Sequence, residues 1–210
     1  METLSILEKK KNIKIDQRFK NKFKGREIWC AASTHQNEEL LVAKVHKKIK
    51  ILNKKLLTII IPRHINRSKH IKKDLEKLGL KTILFSSGKK IDTDTDIYIV
   101  DTYGEASNFY ALCKVAFLGG SIIPHGGQNP LEPARLGNYI LHGPNIFNFK
   151  EVYSMLKKLK ISSQIKNQSD MERIIIKNIK YKQPTQVNKK LYSIGQKILN
   201  QNLSEIKKLI

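Results

Sequence analysis

The chain is short of cysteine, of acid and of long apolar runs. Its 210 residues include two cysteines, Cys30 and Cys113, far apart and in no shared motif. That excludes a disulfide scaffold and reads both thiols as buried small hydrophobes in a reducing compartment. No apolar run approaches a bilayer span. The N-terminal METLSILEKKKNIKIDQ lacks the apolar core and small-residue cleavage site of a secretory signal. Catalytic signatures are missing too. There is no GxxxxGK[ST] phosphate loop, no GxGxxG after the first expected strand, no GxSxG nucleophile elbow and no His/Cys/Asp group with metal spacing. ATPase, dinucleotide-redox, serine-hydrolase and zinc chemistry are thereby set aside.

Acid is scarce beside base, 18 Asp and Glu against 40 Lys and Arg, for a net charge of +22. Such a balance points to nucleic acid or an anionic membrane surface. Nucleic acid is the weaker reading. Lys far outnumbers Arg, whereas base-edge readers favour Arg, and zinc-finger, RNP and basic-zipper patterns are absent. A Lys-, Ile- and Asn-rich composition accounts for much of the charge, leaving peripheral contact with anionic lipid as the expectation from charge.

What is present is alternation. Residues 1–24 are basic and polar and read as a leader or linker. EIWCAAS (Glu27 to Ser33), KLLTIIIP, KTILFS, DIYIVD, KVAFLGG and YILHG read as six apolar strands. Between them lie helical patterns, the first with Leu41, Val45, Ile49 and Leu52 at helical spacing. Strands apolar throughout, alternating with helices, predict a parallel sheet covered on both faces: an α/β, Rossmann-like, doubly wound domain over residues 25–165. Residues 166–210 read as C-terminal basic helices broken near Pro184.

Gly119 to Pro144 holds six of the eleven glycines and four of the six prolines. In an open α/β sheet, ligands bind outside the carboxyl ends of the strands. That rule selects the loops STHQNEE, PRHINR, DTYGE, GGSIIPHGGQN and GPNIFNF. In GGQNPLEP, Asn129 suits an N-cap, Pro130 the first helical position and Glu132 the third. Gly126 and Gly127 allow an anion to approach the backbone and the helix start. Spacing alone favours Glu132 as part of the cap, with hydrogen bonding to a ribose diol as the alternative. Arg63, after Pro62, is either a clamp for a phosphate or sugar carboxylate or a solvated basic residue. Gly104 offers close approach, and Glu105 opens a helix. Ser33 or Thr34 is a natural N-cap, or a hydroxyl contact to a ligand. The profile fits a nucleotide-sugar binding half.

The blocks WCAASTHQNEE, IIIPRHINR, DTYGE and AFLGGSIIPHGGQNPLEPARLGNYILHGPNIFNF, in this order over residues 26–157, resemble the C-terminal half of 3-deoxy-D-manno-octulosonic acid (Kdo) transferases. The resemblance implies the C-terminal domain of a GT-B glycosyltransferase of lipopolysaccharide synthesis. It implies CMP-Kdo as donor, lipid A precursor as acceptor, and no metal or cofactor. The implied location is cytoplasmic, or peripheral on the cytoplasmic face of the inner membrane. The family's CMP-contacting positions fall on Pro62, Arg63, Tyr103, Gly104, Glu105, Asn129, Pro130, Leu131 and Glu132, with Ser33, Thr34, Gly126, Gly127 and Gln128 as possible additions. The resemblance raises the weight on Glu132 as a ligand residue. Two positions depart from the family: Gln128, where His is usual, and Tyr103, where Met is common.

The resemblance also implies relatives about twice this length, with a catalytic Glu base in an N-terminal half that residues 1–25 cannot supply. No catalytic residue is therefore expected here, and acceptor binding is expected from a missing N-terminal domain or a separate chain. A non-catalytic CMP-binding module, a decayed remnant and a different sugar-nucleotide enzyme remain the alternatives.

Overall fold

A computed structural model describes residues 17–193 and 196. Most of the expected leader and the end of the expected tail lie outside the described residues. The strands are β1 (Glu27–Thr34), β2 (Leu56–Pro62), β3 (Thr82–Leu84), β4 (Ile97–Ile99), β5 (Val115–Leu118), β6 (Tyr139–His142) and β7 (Ser162–Gln164). The helices are α1 (Gln17–Asn21), α2 (Glu38–Leu52), α3 (Ser68–Lys77), α4 (Ala106–Leu112), α5 (Leu131–Arg135), α6 (Lys150–Lys158) and α7 (Gln168–Asn178).

The strands form one seven-stranded sheet in the order β3-β4-β2-β1-β5-β6-β7, and every pair is parallel. This is the doubly wound α/β sheet that the apolar runs predict. Alternation along β1 explains why both faces are covered. Ile28, Cys30 and Ala32 enter a core with Tyr98, Phe109, Tyr110 and Tyr153. Trp29 and Ala31 enter the opposite core with Val45, Leu75 and Ile175. Side chains alternate across a strand, so a strand buried on both faces must be apolar at every position. Cys30 and Cys113 are free and buried, as expected of small hydrophobes.

Several details differ from the sequence reading. Of the α2 positions read from spacing, Val45 and Ile49 are buried with Val42, Ala43 and His46, whereas Leu52 is 80% exposed. The expected strand KTILFS ends at Leu84, and Phe85–Ser87 turns into a 3₁₀ segment. The edge strand β7, of sequence SSQ, has no apolar run and was not foreseen. Helix α1 falls inside the stretch read as a leader. There Phe19 and Phe23 meet Phe109 edge-on at 5.3 and 6.1 Å, so the end of that stretch packs on the core. Helix α7 buries Met171, Ile174 and Ile175 in the same core as α2, and a helical stretch over residues 185–193 follows Pro184 and buries Leu191.

Candidate functional site

The chain begins its sheet at β1, adds strands on one side, then crosses to add β5 on the other. The carboxyl ends of β1 and β5 thus flank the switch point where open α/β sheets hold ligands. Glu38, on the first turn of α2, ties this point together. Its buried carboxylate accepts the amide of His35 at 2.9 Å, of Gly120 at 2.8 Å and of Ile122 at 3.2 Å. Burial pushes the Glu38 carboxyl above its usual range, and those three amides act in the opposite direction. Gly119 is obligatory for this approach: a Cβ there would lie 2.4 Å from the Ser33 carbonyl oxygen and 2.6 Å from Glu38 Oε2.

The other loops are laced to this centre. Glu39 takes a bidentate bond from Arg67, at 3.0 and 3.1 Å, and the Thr34 hydroxyl donates to it at 3.0 Å. The Arg63 amide donates to the Thr34 carbonyl at 3.0 Å. In the loop after β6, Asn145 donates from its amide to Ser121 and from its side chain to Ile122, both at 2.9 Å. Gly126 packs under that loop; a Cβ there would sit 2.2 Å from Asn148 Nδ2. The Ser107 hydroxyl on α4 donates to Glu132 on α5, joining the loop after β4 to the loop after β5. Gly119, Gly126 and Gly143 of the glycine-rich stretch therefore serve to let the chain's own loops touch.

The residues singled out by sequence are distributed as follows. Pro62 is buried at the end of β2, opposite Thr34, and Arg63 beyond it is exposed, with no ion-pair partner among the described residues. Tyr103 is 73% exposed beside Gly104, which has a positive φ of 83°. Glu105 stands at the start of α4 and accepts the Asn108 side chain at 3.0 Å. Asn129 is not the N-cap residue, which is Pro130; its Oδ1 accepts the Leu131 amide at 3.0 Å in a turn just ahead of the helix. α5 begins at Leu131 and not at Pro130. Glu132 does not complete a capping box, because Ser107 bonds its exposed carboxylate. Gly126 and Gly127 are buried, and the Gly127 amide goes to the Gly120 carbonyl at 2.9 Å. The Gln128 carbonyl accepts the Tyr153 hydroxyl at 2.9 Å. Neither Ser33 nor Thr34 caps α2. Ser33 sits at a bulge with φ 53°, the buried Thr34 hydroxyl is spent on Glu39, and Asn37 precedes the helix without a side-chain cap.

Sequence reasoning passed over two groups. Glu38 has no signature in the sequence, and only the fold reveals the amides it receives. The second group is a histidine cluster. His35, after β1, stacks at a tilt on His125, after β5, with centroids 4.3 Å apart, and meets His64, after β2, at 6.1 Å and 90°. Burial and the neighbouring His125, His64, Arg67 and Arg63 lower the pKa of His35 to about 4. Among the described residues, no His/Cys/Asp/Glu group is disposed to hold a metal ion.

A buried Thr–His–Asp series lies at the opposite, amino-terminal end of the strands. His46 Nδ1 accepts from Thr58 at 2.8 Å and Nε2 donates to Asp96 at 3.2 Å. That end of the sheet is stabilising ground, away from the switch point. A recess of about 850 Å³ between α6, β7 and α7 is lined by Lys150, Lys157, Lys166, Arg173 and Lys177 and by none of the expected site residues.

Comparison with known proteins identifies the family. A 3-deoxy-D-manno-octulosonic acid transferase of Haemophilus influenzae is 30% identical over 186 residues, covering 88% of this chain and 43% of the relative. The chain is a homologue of the Kdo transferases. The transferase of Aquifex aeolicus is 29% identical over 169 residues, 80% of this chain and 46% of the relative. The chain thus spans about half the length of these curated relatives. No family model matches it. Among solved structures, the C-terminal CMP-Kdo binding domain of WaaA from Acinetobacter baumannii superposes with a TM-score of 0.72 at 29% identity, over 84% of this chain and 91% of that one.

Proposed function

We propose that this Kdo transferase homologue is the donor-binding part of a GT-B glycosyltransferase, holding CMP-Kdo for transfer of Kdo to lipid A precursor. The observation that carries the reading is the convergence of the β1, β2, β4 and β5 loops at one end of the sheet, beside a switch point. It is supported by the fold shared with a CMP-Kdo binding domain.

In this reading Arg63 offers an unpaired guanidinium to the phosphate. Glu132, exposed and bonded only through the Ser107 hydroxyl among the described contacts, takes the ribose hydroxyls. Pro62, Gly104, Glu105 and the turn Asn129–Leu131 shape the walls. The turn brings fewer amides than its sequence promised, because Pro130 has none and the Leu131 amide belongs to Asn129. Transfer proceeds by attack of an acceptor hydroxyl on the anomeric carbon. The carbon–oxygen bond to phosphate breaks, CMP leaves, and the proton passes to a base. In this reading the base belongs to an N-terminal half of the enzyme.

Calorimetric titration of the chain with CMP and UMP tests the reading. CMP is expected to bind more tightly than UMP, and Glu132→Ala to weaken CMP about tenfold, the loss of one hydrogen bond to a charged group. Equal binding of both nucleotides, unaffected by Glu132→Ala, would overturn it.

A further inference from the structure

A donor made of a cytidine monophosphate and a sugar acid carries two anionic groups, a phosphate and a carboxylate. The nucleotide reading engages the first through Arg63 and leaves the second without a partner. The histidine cluster supplies one. His35, His64 and His125 come from three different loops, yet their rings converge over the switch point. His64 and His125 are exposed, as is Arg63 beside them. His35 is partly buried beneath, its Nε2 shut off from water against Gly120 without a hydrogen-bond partner.

The groups facing His35 are His125 from the β5 loop, and His64, Arg63 and Arg67 from the β2 loop. All are cations or become cations on protonation. The acids nearby are already engaged. Glu38 receives three backbone amides, and Glu39 receives Arg67 and Thr34. These rings are not disposed to share a metal ion. The cluster gathers ring N–H groups beside the Arg63 guanidinium, with no free carboxylate among the described residues to accept them.

We propose that His125 and His64, resting on His35 and flanked by Arg63, form the subsite for the carboxylate of the donor's sugar acid. The inference rests on the nucleotide-sugar reading above and extends it from the nucleotide to the transferred group. A carboxylate accepts imidazole N–H bonds. His35, held uncharged by burial, acts as a platform and not as a contact.

The test is calorimetry at pH 6.5 with two probes, freshly prepared CMP-Kdo and CMP, on the full chain and a His64→Ala/His125→Ala variant. Both side chains are exposed, so the fold tolerates their removal. The double variant is expected to bind CMP-Kdo at least about tenfold more weakly. CMP is expected to change less than about twofold, since the phosphate is held elsewhere. Equal losses for both probes, or unchanged CMP-Kdo affinity in a variant that still binds CMP, would overturn the carboxylate subsite alone. Failure of the parent chain to bind CMP would overturn the nucleotide reading, and this inference with it.

Discussion

Glu38 and Gly120 are joined by a 2.8 Å hydrogen bond that spans 82 positions of sequence, from the start of α2 to the loop after β5. The carboxylate is buried, and the amides of His35 and Ile122 share it. Glu38→Ala would leave three backbone donors without this partner, that of Gly120 buried and those of His35 and Ile122 part-buried. An unsatisfied buried donor costs about 1–3 kcal/mol. Chemical denaturation should therefore register a loss of at least about 2 kcal/mol, and proteolysis should cut first in residues 119–127.

Gly119 and Gly137 make a contrasting pair. A methyl group on Gly119 would collide with backbone, 2.4 Å from the Ser33 oxygen and 2.7 Å from Thr34 Cα. Gly137 has open space around it but a φ of 92°. Gly137→Ala should therefore cost only the left-handed strain, about 1–2 kcal/mol. Gly119→Ala should cost more and should separate β1 from β5. Thermal unfolding of the two variants side by side checks the order.

Ser107 and Glu132 test whether the carboxylate is structural or ligand-directed. Ser107→Ala frees Glu132 without removing it. If Glu132 serves the ribose, Ser107→Ala should hold CMP affinity within about threefold, while Glu132→Ala loses about tenfold. Parallel losses in both variants would mark the pair as a structural tie between α4 and α5.

Acid should destabilise the protein through its histidines. Burial lowers the pKa of His46 and His142, and burial with neighbouring cations takes His35 to about 4. An unfolded histidine titrates near about 6.5, so below that pH the unfolded chain binds protons that the native chain refuses. The stability these groups contribute is whole above that value and is lost progressively as pH falls toward their folded values. Glu38 opposes the trend, because a raised carboxyl pKa makes the native state the better proton binder as pH falls. Unfolding midpoints should drop between pH 7 and pH 5, and His46→Gln should flatten the slope.

The sheet was readable because its strands are buried on both faces, which leaves unbroken runs such as LLTIIIP. β7 was unreadable because an edge strand of Ser162, Ser163 and Gln164 needs no apolar pattern. Leu52 fits the helical spacing yet ends in solvent at the last position of α2. At the site, loop positions followed from strand ends alone, and a side-chain bond from Asn129 to the chain ahead of α5 followed from local chemistry, though the cap position fell on Pro130. Partnerships between loops did not follow. Glu38 with Gly120, Ser107 with Glu132 and His35 with His125 each join segments that only the fold brings together.

The lacing of the loops by Glu38, Asn145 and the Gly126–Asn148 contact has a thermodynamic consequence for whatever occupies the crevice. The conformational freedom of these segments is given up when the chain folds, before any ligand arrives. A pre-organised crevice then takes its ligand without an ordering penalty, and association is limited by encounter and orientation. Variants that loosen the lacing should weaken binding through entropy, even where they touch no ligand atom.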